Sequence, residues 1–340
     1  MWRGPTVGMM HQSQARSALS VVVPCYDEEA VIPELYRRVS AVCRTLVGDS
    51  YELVLVNDGS RDETWAILQM LAHRDDRVVA VDLSRNHGHQ LALSAGLSLA
   101  RGERILVIDA DLQDPPELLP DMMQLMDDGA DVVYGQRVGR HGETWFKKLS
   151  ARMFYRLLLR MTNVPIPQDT GDFRLMNRQV VDALLAMPEY QRFIRGMVAW
   201  IGFRQVPLQY HRDKRFAGET KYPFGKMLTF ALDAITGFST VPLRISIYMA
   251  SFFVGLAGLL IIYVLFSWLY LGVVAGWTSM FLGMLIFSSV QLFSLGIIGE
   301  YLGRVYMQAK QRPLFFIREI VTGQAASQRR PTVEEFARDA

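Results

Sequence analysis

Between Arg244 and Glu300 this chain of 340 residues runs for 55 residues without an Asp, Glu, Lys, Arg or His. One helix crossing a bilayer takes about 20 apolar residues. The run therefore predicts two membrane spans, near 246–271 and 279–299, with a turn over 273–279. A buried core hairpin is the weaker alternative, because globular cores seldom go so far without a charge. Arg244 precedes the run, Arg304, Lys310 and Arg312 follow it, and the connecting loop is uncharged. Both ends are thus expected on the cytoplasmic side. Residues 1–20 lack the apolar stretch of a secretory signal, which places the first 240 residues in the cytosol as well. The two cysteines, Cys25 and Cys43, fit a reducing compartment and offer neither a disulfide framework nor a metal cluster.

The part before the spans is long enough for a sizeable α/β core. Apolar runs at Leu19 to Pro24, Tyr51 to Asn57, Val78 to Leu83, Arg104 to Ile108 and Asp131 to Tyr134 read as strands. Helical patterns over 29–46, 62–73 and about 90–100 separate them. Strands alternating with helices of this length imply βαβ units and a mainly parallel sheet.

The fourth strand, Ile105 to Ile108, runs directly into Asp109, Asp111, Gln113 and Asp114-Pro-Pro. A strand buried on both faces has no place for acids inside it, so these sit where it emerges, at the carboxyl edge that binds ligands in open α/β sheets. Two carboxylates one residue apart, with an amide nearby, suit a hard divalent cation holding nucleotide phosphates. An acidic helix cap is the simpler alternative. The first strand ends in Pro24-Cys-Tyr26-Asp-Glu28 and the second in Asn57-Asp58-Gly-Ser60, so acids and turn formers collect at one edge. Neither GxGxxG nor GxxxxGK[ST] follows a strand, which removes support for a dinucleotide or P-loop site. A nucleotide here would need a base-and-ribose pocket plus a metal. Asp58 and Glu28 are candidates for the base or ribose, although Asp58-Gly59 is also a good turn.

These segments, with Pro167-Gln-Asp169-Thr-Gly-Asp172-Phe-Arg174, Arg215-Phe-Ala-Gly-Glu-Thr-Lys221-Tyr and the paired spans, resemble the inverting family-2 glycosyltransferases over residues 18 to 312. Within them the pattern is most similar to the polyprenyl-phosphate group, nearest the bactoprenol glucosyltransferases and more distant from the dolichyl-phosphate mannose synthases. One departure is Val-Asn57-Asp58, where the family often has an Asp-Asp pair; Asn57 brings no charge and is left out of the site.

The resemblance implies a GT-A domain (Rossmann-like, mainly parallel sheet) at 18–221 and a two-helix transmembrane hairpin at 244–303. Between them an interfacial amphipathic helix is expected at 222–243, and polar tails at 1–17 and 304–340. The implied reaction moves one sugar, glucose by resemblance, from a UDP-sugar to undecaprenyl phosphate, with inversion. Pro24, Tyr26, Glu28, Asp58 and Asp109 would bind the donor nucleotide. Asp109, Asp111 and Gln113 would hold Mg²⁺ or Mn²⁺. Asp172 is the candidate beside the acceptor, ahead of Asp169, and Asp111 joins it as catalytic. A lipid phosphate is mostly a dianion at neutral pH, so Asp172 would orient Arg174 or the sugar more readily than remove a proton. A turn aspartate after Gly171 is its alternative.

From Arg192 to Lys226 there are eight Lys or Arg and two acids. Such a segment attracts anionic headgroups. Arg137, Arg215 and Lys221 are the candidates for the acceptor phosphate, whereas Arg195 reads as part of a positive collar. The expected partners are the nucleotide sugar, the lipid phosphate, the membrane, copies of the same chain (a tetramer by analogy) and a downstream flippase, with no nucleic acid. A processive polysaccharide synthase would usually carry Gln-x-x-Arg-Trp, which Gln191-Arg-Phe-Ile-Arg195-Gly does not match. A non-enzymatic scaffold disagrees with the intact Asp109, Asp111 and Gln113.

Overall fold

The computed structural model describes residues 17–138, 170–211, 241–270 and 276–323. Its centre is an eight-stranded sheet. The strands are β1 (Leu19–Cys25), β2 (Tyr51–Asn57), β3 (Val78–Leu83), β4 (Arg104–Val107), β5 (Val132–Arg137), β6 (Thr170–Asn177), β7 (Gln205–Tyr210) and β8 (Ile317–Thr322). They lie in the order β7-β5-β6-β4-β1-β2-β3-β8. The four central strands β4, β1, β2 and β3 are parallel, as the alternation of strands and helices predicts. β6 runs antiparallel to both β4 and β5, and β8 antiparallel to β3.

Successive side chains of a strand point to opposite faces, and the central strands are mostly apolar because both faces are covered; the buried polar exceptions are paired, Ser20 with Glu52 and Asn57 with Asp82. Val21, Val23, Leu53 and Leu55 face α1 (Ile32–Val47), α2 (Thr64–Arg74) and α4 (Leu119–Asp127), where Leu35, Val39, Leu68 and Met122 complete one core. Val22, Val54, Val56, Ile105 and Val107 face α3 (His89–Leu99), α5 (Arg178–Leu185) and α6 (Ile194–Ile201), with Leu93, Leu97, Val180 and Ile194 completing the other. Each such side chain, fully buried, contributes about 1.5–3 kcal/mol of transfer free energy. The domain is an α/β fold with a mainly parallel sheet covered by helices on both faces.

Two long apolar helices follow, α7 (Val241–Tyr270) and α8 (Trp277–Ala309), and they touch through an edge-to-face pair of Phe253 and Phe287. Within α8, Ile286–Ala309 is long and apolar enough to cross a membrane. Most of the interfacial helix expected at 222–243 lies outside the described residues, as do residues 273–275 of the turn expected over 273–279, whose remainder from Trp277 onward is the first turn of α8 instead. Helix α8 runs past the expected end of the second span to Ala309, and the chain beyond it, read from sequence as a tail, supplies the sheet's edge strand β8. The period-two signal of Ile317-Arg-Glu-Ile-Val-Thr is too short to stand out from its polar surroundings.

Candidate active site

Every group that matters sits at one edge of the sheet, where β1, β2 and β4 end and the antiparallel β6 begins. The β4–β6 register pairs Val107 with Arg174. Continued two residues further, it brings Asp109 level with Asp172. Acids 63 positions apart in the chain therefore meet because one strand ends where its antiparallel neighbour starts.

Asp172 is in a strand, not in a turn. It is 2% exposed. Its Oδ1 accepts from Arg195 Nε at 2.8 Å, and its Oδ2 accepts from Gln90 Nε2 at 3.0 Å and Arg195 Nη2 at 3.3 Å. His89 Nε2 lies 3.0 Å from the same Oδ2. Burial by itself would raise the pKa of this carboxyl, but the Arg195 guanidinium and His89 hold it well below the usual carboxylate range. Arg174 is less engaged with Asp172 than the sequence suggests: its Nη2 is 3.8 Å from Oδ1 and donates instead to the Gly171 carbonyl at 3.1 Å.

Asp109 is the contrasting acid. Its Oδ1 is buried without a hydrogen-bond partner, the nearest cation being His89 Nε2 at 3.5 Å. Burial and the neighbouring carboxylates of Asp172, Asp114 and Asp111 push its pKa up to about 6 against the pull of His89. Asp111 accepts from the Gln113 backbone N–H at 3.2 Å across Leu112, whose φ of 55° is left-handed. That conformation is uncommon for a branched residue and is characteristic of functional turns. Asp111 stays close enough to Asp109 for its charge to raise the Asp109 pKa. The unpartnered buried oxygen of Asp109, with the Asp111 carboxylate near enough to raise its pKa, offers hard oxygen donors of the kind a divalent cation takes. His89, Asp109 and Asp172 also bring one donor atom each within 4.8 Å of one another. The Arg195 contacts to Asp172 make that trio the poorer cation cage.

The donor-side candidates line the same edge. Pro24 is buried within β1, paired with Val56 of β2, and Tyr26 just beyond it is 41% exposed. Glu28 is half-buried, and its backbone N–H donates to Thr64 Oγ1. Asp58 has a strong structural role: its two oxygens accept from the backbone N–H groups of His87 at 2.7 Å and Gly88 at 2.9 Å. It thereby fixes the loop that delivers His89 to the N-terminus of α3. Gly59 completes that joint, since at φ 67° a Cβ would lie 2.6 Å from the Asn86 nitrogen.

Among the acceptor-side candidates, Arg215 and Lys221 lie outside the described residues, as does Asp169. Arg137, at the end of β5, donates through Nε to the Tyr210 hydroxyl at 3.3 Å and places Nη2 3.5 Å from Asp114 Oδ1. Tyr210 in turn donates to Asp114, which is fully buried. Gly171 leaves the room for this arrangement, because a Cβ there would meet Arg137 Nη2 at 2.6 Å.

Arg195, assigned from sequence to a basic collar, belongs to the site. The reason is electrostatic: a buried Asp172 needs a charged partner, and Arg195 is the one α6 delivers. His89, Gln90 and Tyr210 were also missed. His89 and Gln90 carried one positional signal, for they open the helix after the third strand, at the same sheet edge as the acids. Tyr210 carried none.

A carboxylate-lined edge of a mainly parallel sheet, flanked by guanidinium groups, makes this the candidate active site of an enzyme. The glycosyl transferase family 2 model matches residues 20–185. An uncharacterised glycosyltransferase of Bacillus subtilis, YkcC, is 48% identical over 88% of this chain and 93% of its own. The bactoprenol glucosyl transferase of Shigella phage SfV is 37% identical over 88% and 98% respectively. The chain belongs to glycosyl transferase family 2, and it is a glycosyltransferase. Among solved structures, the glucosyl-3-phosphoglycerate synthase of Mycobacterium tuberculosis, in complex with Mn²⁺, UDP-glucose and phosphoglyceric acid, is 21% identical over 65% of this chain and 78% of that one. Its TM-score of 0.42 is too low to carry an argument about the site.

Proposed function

We propose that this protein transfers a single glucose from UDP-glucose to undecaprenyl phosphate at the cytoplasmic face of a bacterial inner membrane, with inversion. The observation that carries the reading is the pairing of unlike acids at one edge. Asp109 has a buried, unpartnered oxygen and a raised pKa, while Asp172, beside it, is saturated by hydrogen bonds and held ionised. The sugar and lipid are supported by the relative named a bactoprenol glucosyl transferase.

A divalent cation, Mg²⁺ or Mn²⁺, held by Asp109, Asp111 and Gln113 would supply Lewis-acid stabilisation of the departing nucleoside diphosphate. The chain's own residues do the rest. Tyr26, Glu28 and the Asp58 turn shape the pocket for base and ribose below Pro24. Asp172, with Arg195 and Gln90 fixing both its oxygens, orients the sugar. A carboxylate so fully engaged is a poor proton acceptor, and a phosphate dianion needs none removed. Arg137, with Arg215 and Lys221, offsets the acceptor's charge. Catalysis then rests on positioning and charge compensation.

Helices α7 and α8 are read as a transmembrane hairpin, with an interfacial helix over 222–243 ahead of it. Large apolar side chains along both helices, Phe252, Leu259, Ile262, Leu292 and Phe293 among them, are more than half exposed, a surface suited to lipid. Assembly into a homo-oligomer, a tetramer by analogy, and delivery of the product to a flippase complete the proposal.

The test offers labelled UDP-glucose, UDP-galactose, UDP-N-acetylglucosamine and GDP-mannose to purified protein with undecaprenyl phosphate and Mn²⁺ or Mg²⁺. Lipid-linked label from UDP-glucose, lost on chelation and in Asp111→Ala, is expected. Label from GDP-mannose alone would make the protein a mannose synthase, and label only in a long polymer would make it a processive synthase.

A further inference from the structure

The chain around the end of α8 is joined to the catalytic domain at two loops, and both loops lead to the His89–Asp172–Arg195 cluster. The first junction is on the helix itself. The Gln308 side-chain oxygen accepts from the Tyr190 backbone N–H at 2.9 Å, and its amide nitrogen donates to the Pro188 carbonyl. One turn earlier Arg304, braced by Glu300 at 2.9 Å, donates to the Gln191 side chain. The segment held this way connects α5 to α6 and is tied down again at almost every step. Arg192 donates to the Met187 carbonyl at 2.6 Å, and the Ile194 backbone N–H donates to Gln90 Oε1 at 2.9 Å. The other end of the Gln90 amide donates to Asp172, and the residue after Ile194 is Arg195.

The second junction follows the helix. The Phe316 carbonyl accepts from the Ser84 backbone N–H at 2.8 Å. Arg318 donates to the Ser84 carbonyl at 2.6 Å and to Asp82 at 3.0 Å. Ser84 opens the loop that Asp58 closes, and that loop ends at His89.

We propose that Gln308 is a positioning residue. By clamping Pro188–Gln191 to the end of the apolar helix, it sets the place of Arg195 and, through Arg195 and Gln90, the orientation of Asp172. The inference rests on the proposed role of Asp172 and Arg195 in the site. The physical reason is that a loop's backbone is ordered only as far as it is tied. A side-chain amide that satisfies both an N–H and a C=O of one loop fixes its position and its rotation together. The segment anchoring the protein then also completes the geometry of its chemistry.

The test compares full-length wild-type protein with Gln308→Ala and Gln308→Glu in lipid nanodiscs. Glutamate keeps the acceptor for Tyr190 but has no donor for Pro188. The first readout is backbone hydrogen exchange, which requires no turnover. Exchange at Tyr190, Ile194 and Arg195 is expected to quicken at least roughly tenfold in Gln308→Ala, with β1 to β4 unchanged. The glutamate variant should fall between. The second readout is kinetic. Gln308→Ala should lower kcat by roughly tenfold with the donor KM within about twofold, and the loss should not add to that of Arg195→Lys. Unchanged exchange would overturn the clamp. Quickened exchange with kcat within about twofold of wild type, or full additivity with Arg195→Lys, would overturn the positioning role. The exchange result decides the clamp even if no donor is turned over by wild-type protein, an outcome that would sink the proposed reaction alone.

Discussion

Asp109 and Asp172 are the same residue type at adjacent places in one sheet, yet their surroundings push them in opposite directions, and each direction has a consequence in pH. The folded-state pKa of Asp172 is depressed, so its contribution to stability is complete above the unfolded value of about 4. That contribution is lost as pH falls from there toward the folded pKa. Arg195→Ala would leave the buried carboxylate without its main partner and should destabilise the protein by about 3 kcal/mol at neutral pH. The penalty should shrink as pH falls through the pKa of the variant's carboxyl, which burial without Arg195 raises. Urea unfolding at pH 7 and pH 4 measures both. Asp109 has a raised pKa, about 6, so the folded state binds more protons than the unfolded chain between about pH 4 and that value. Stability in chelator should therefore decline as pH rises through this window. Asp109→Asn should flatten the decline, and Mn²⁺ should offset it in wild type but not in the variant.

At the scale of elements, β6 shows where sequence patterns stop. The parallel strands β1 to β4 were legible because burial on both faces leaves a mostly apolar run, interrupted only by single polar residues such as Glu52 and Asp82. Thr170-Gly-Asp-Phe-Arg-Leu-Met carries two charges and a glycine, and it reads as a loop motif. It is a strand because β4 and β5 on either side satisfy its backbone, and its charges are tolerated because Arg195, His89 and Gln90 answer Asp172. Gly171 marks the crossing with Arg137. In Gly171→Ala the new methyl meets the end of a flexible side chain, so stability should change by less than about 1 kcal/mol. The displaced guanidinium should raise the KM for the lipid acceptor several-fold while leaving the donor KM alone. Thermal unfolding and steady-state kinetics separate the two effects. Tyr210→Phe removes the hydroxyl between Arg137 and Asp114 and should weaken acceptor use in the same sense.

Over the whole molecule, the apolar helices and the catalytic sheet are joined at the end of α8 and again just after it, where β8 returns to cover the free edge of β3. Val321 is 9% exposed and belongs to the same core as Leu53 and Ala80. Val321→Asp should lower stability by about 2–4 kcal/mol by placing an unpaired charge against that core, as read by urea midpoint. The protein should also stay with the membrane pellet after alkaline extraction, as helices with large exposed apolar side chains require. The sequence alone determined the periodic features: parallel strands buried on two faces, the helices between them, the charge-free apolar run, and a carboxylate-bearing edge with Asp58, Asp109 and Asp111 among its acids. These follow from local spacing and from the cost of burying charge, and both are written in neighbouring residues. Only the tertiary structure decided that Arg195 belongs with Asp172, that Tyr210 and Asp114 hold Arg137, that Asp58 fastens the His89 loop, and that the chain after α8 closes the sheet. Each of these joins residues from 23 to more than 200 positions apart. Such pairings are selected by strand register and by the need of buried polar groups for partners, and no local pattern encodes them.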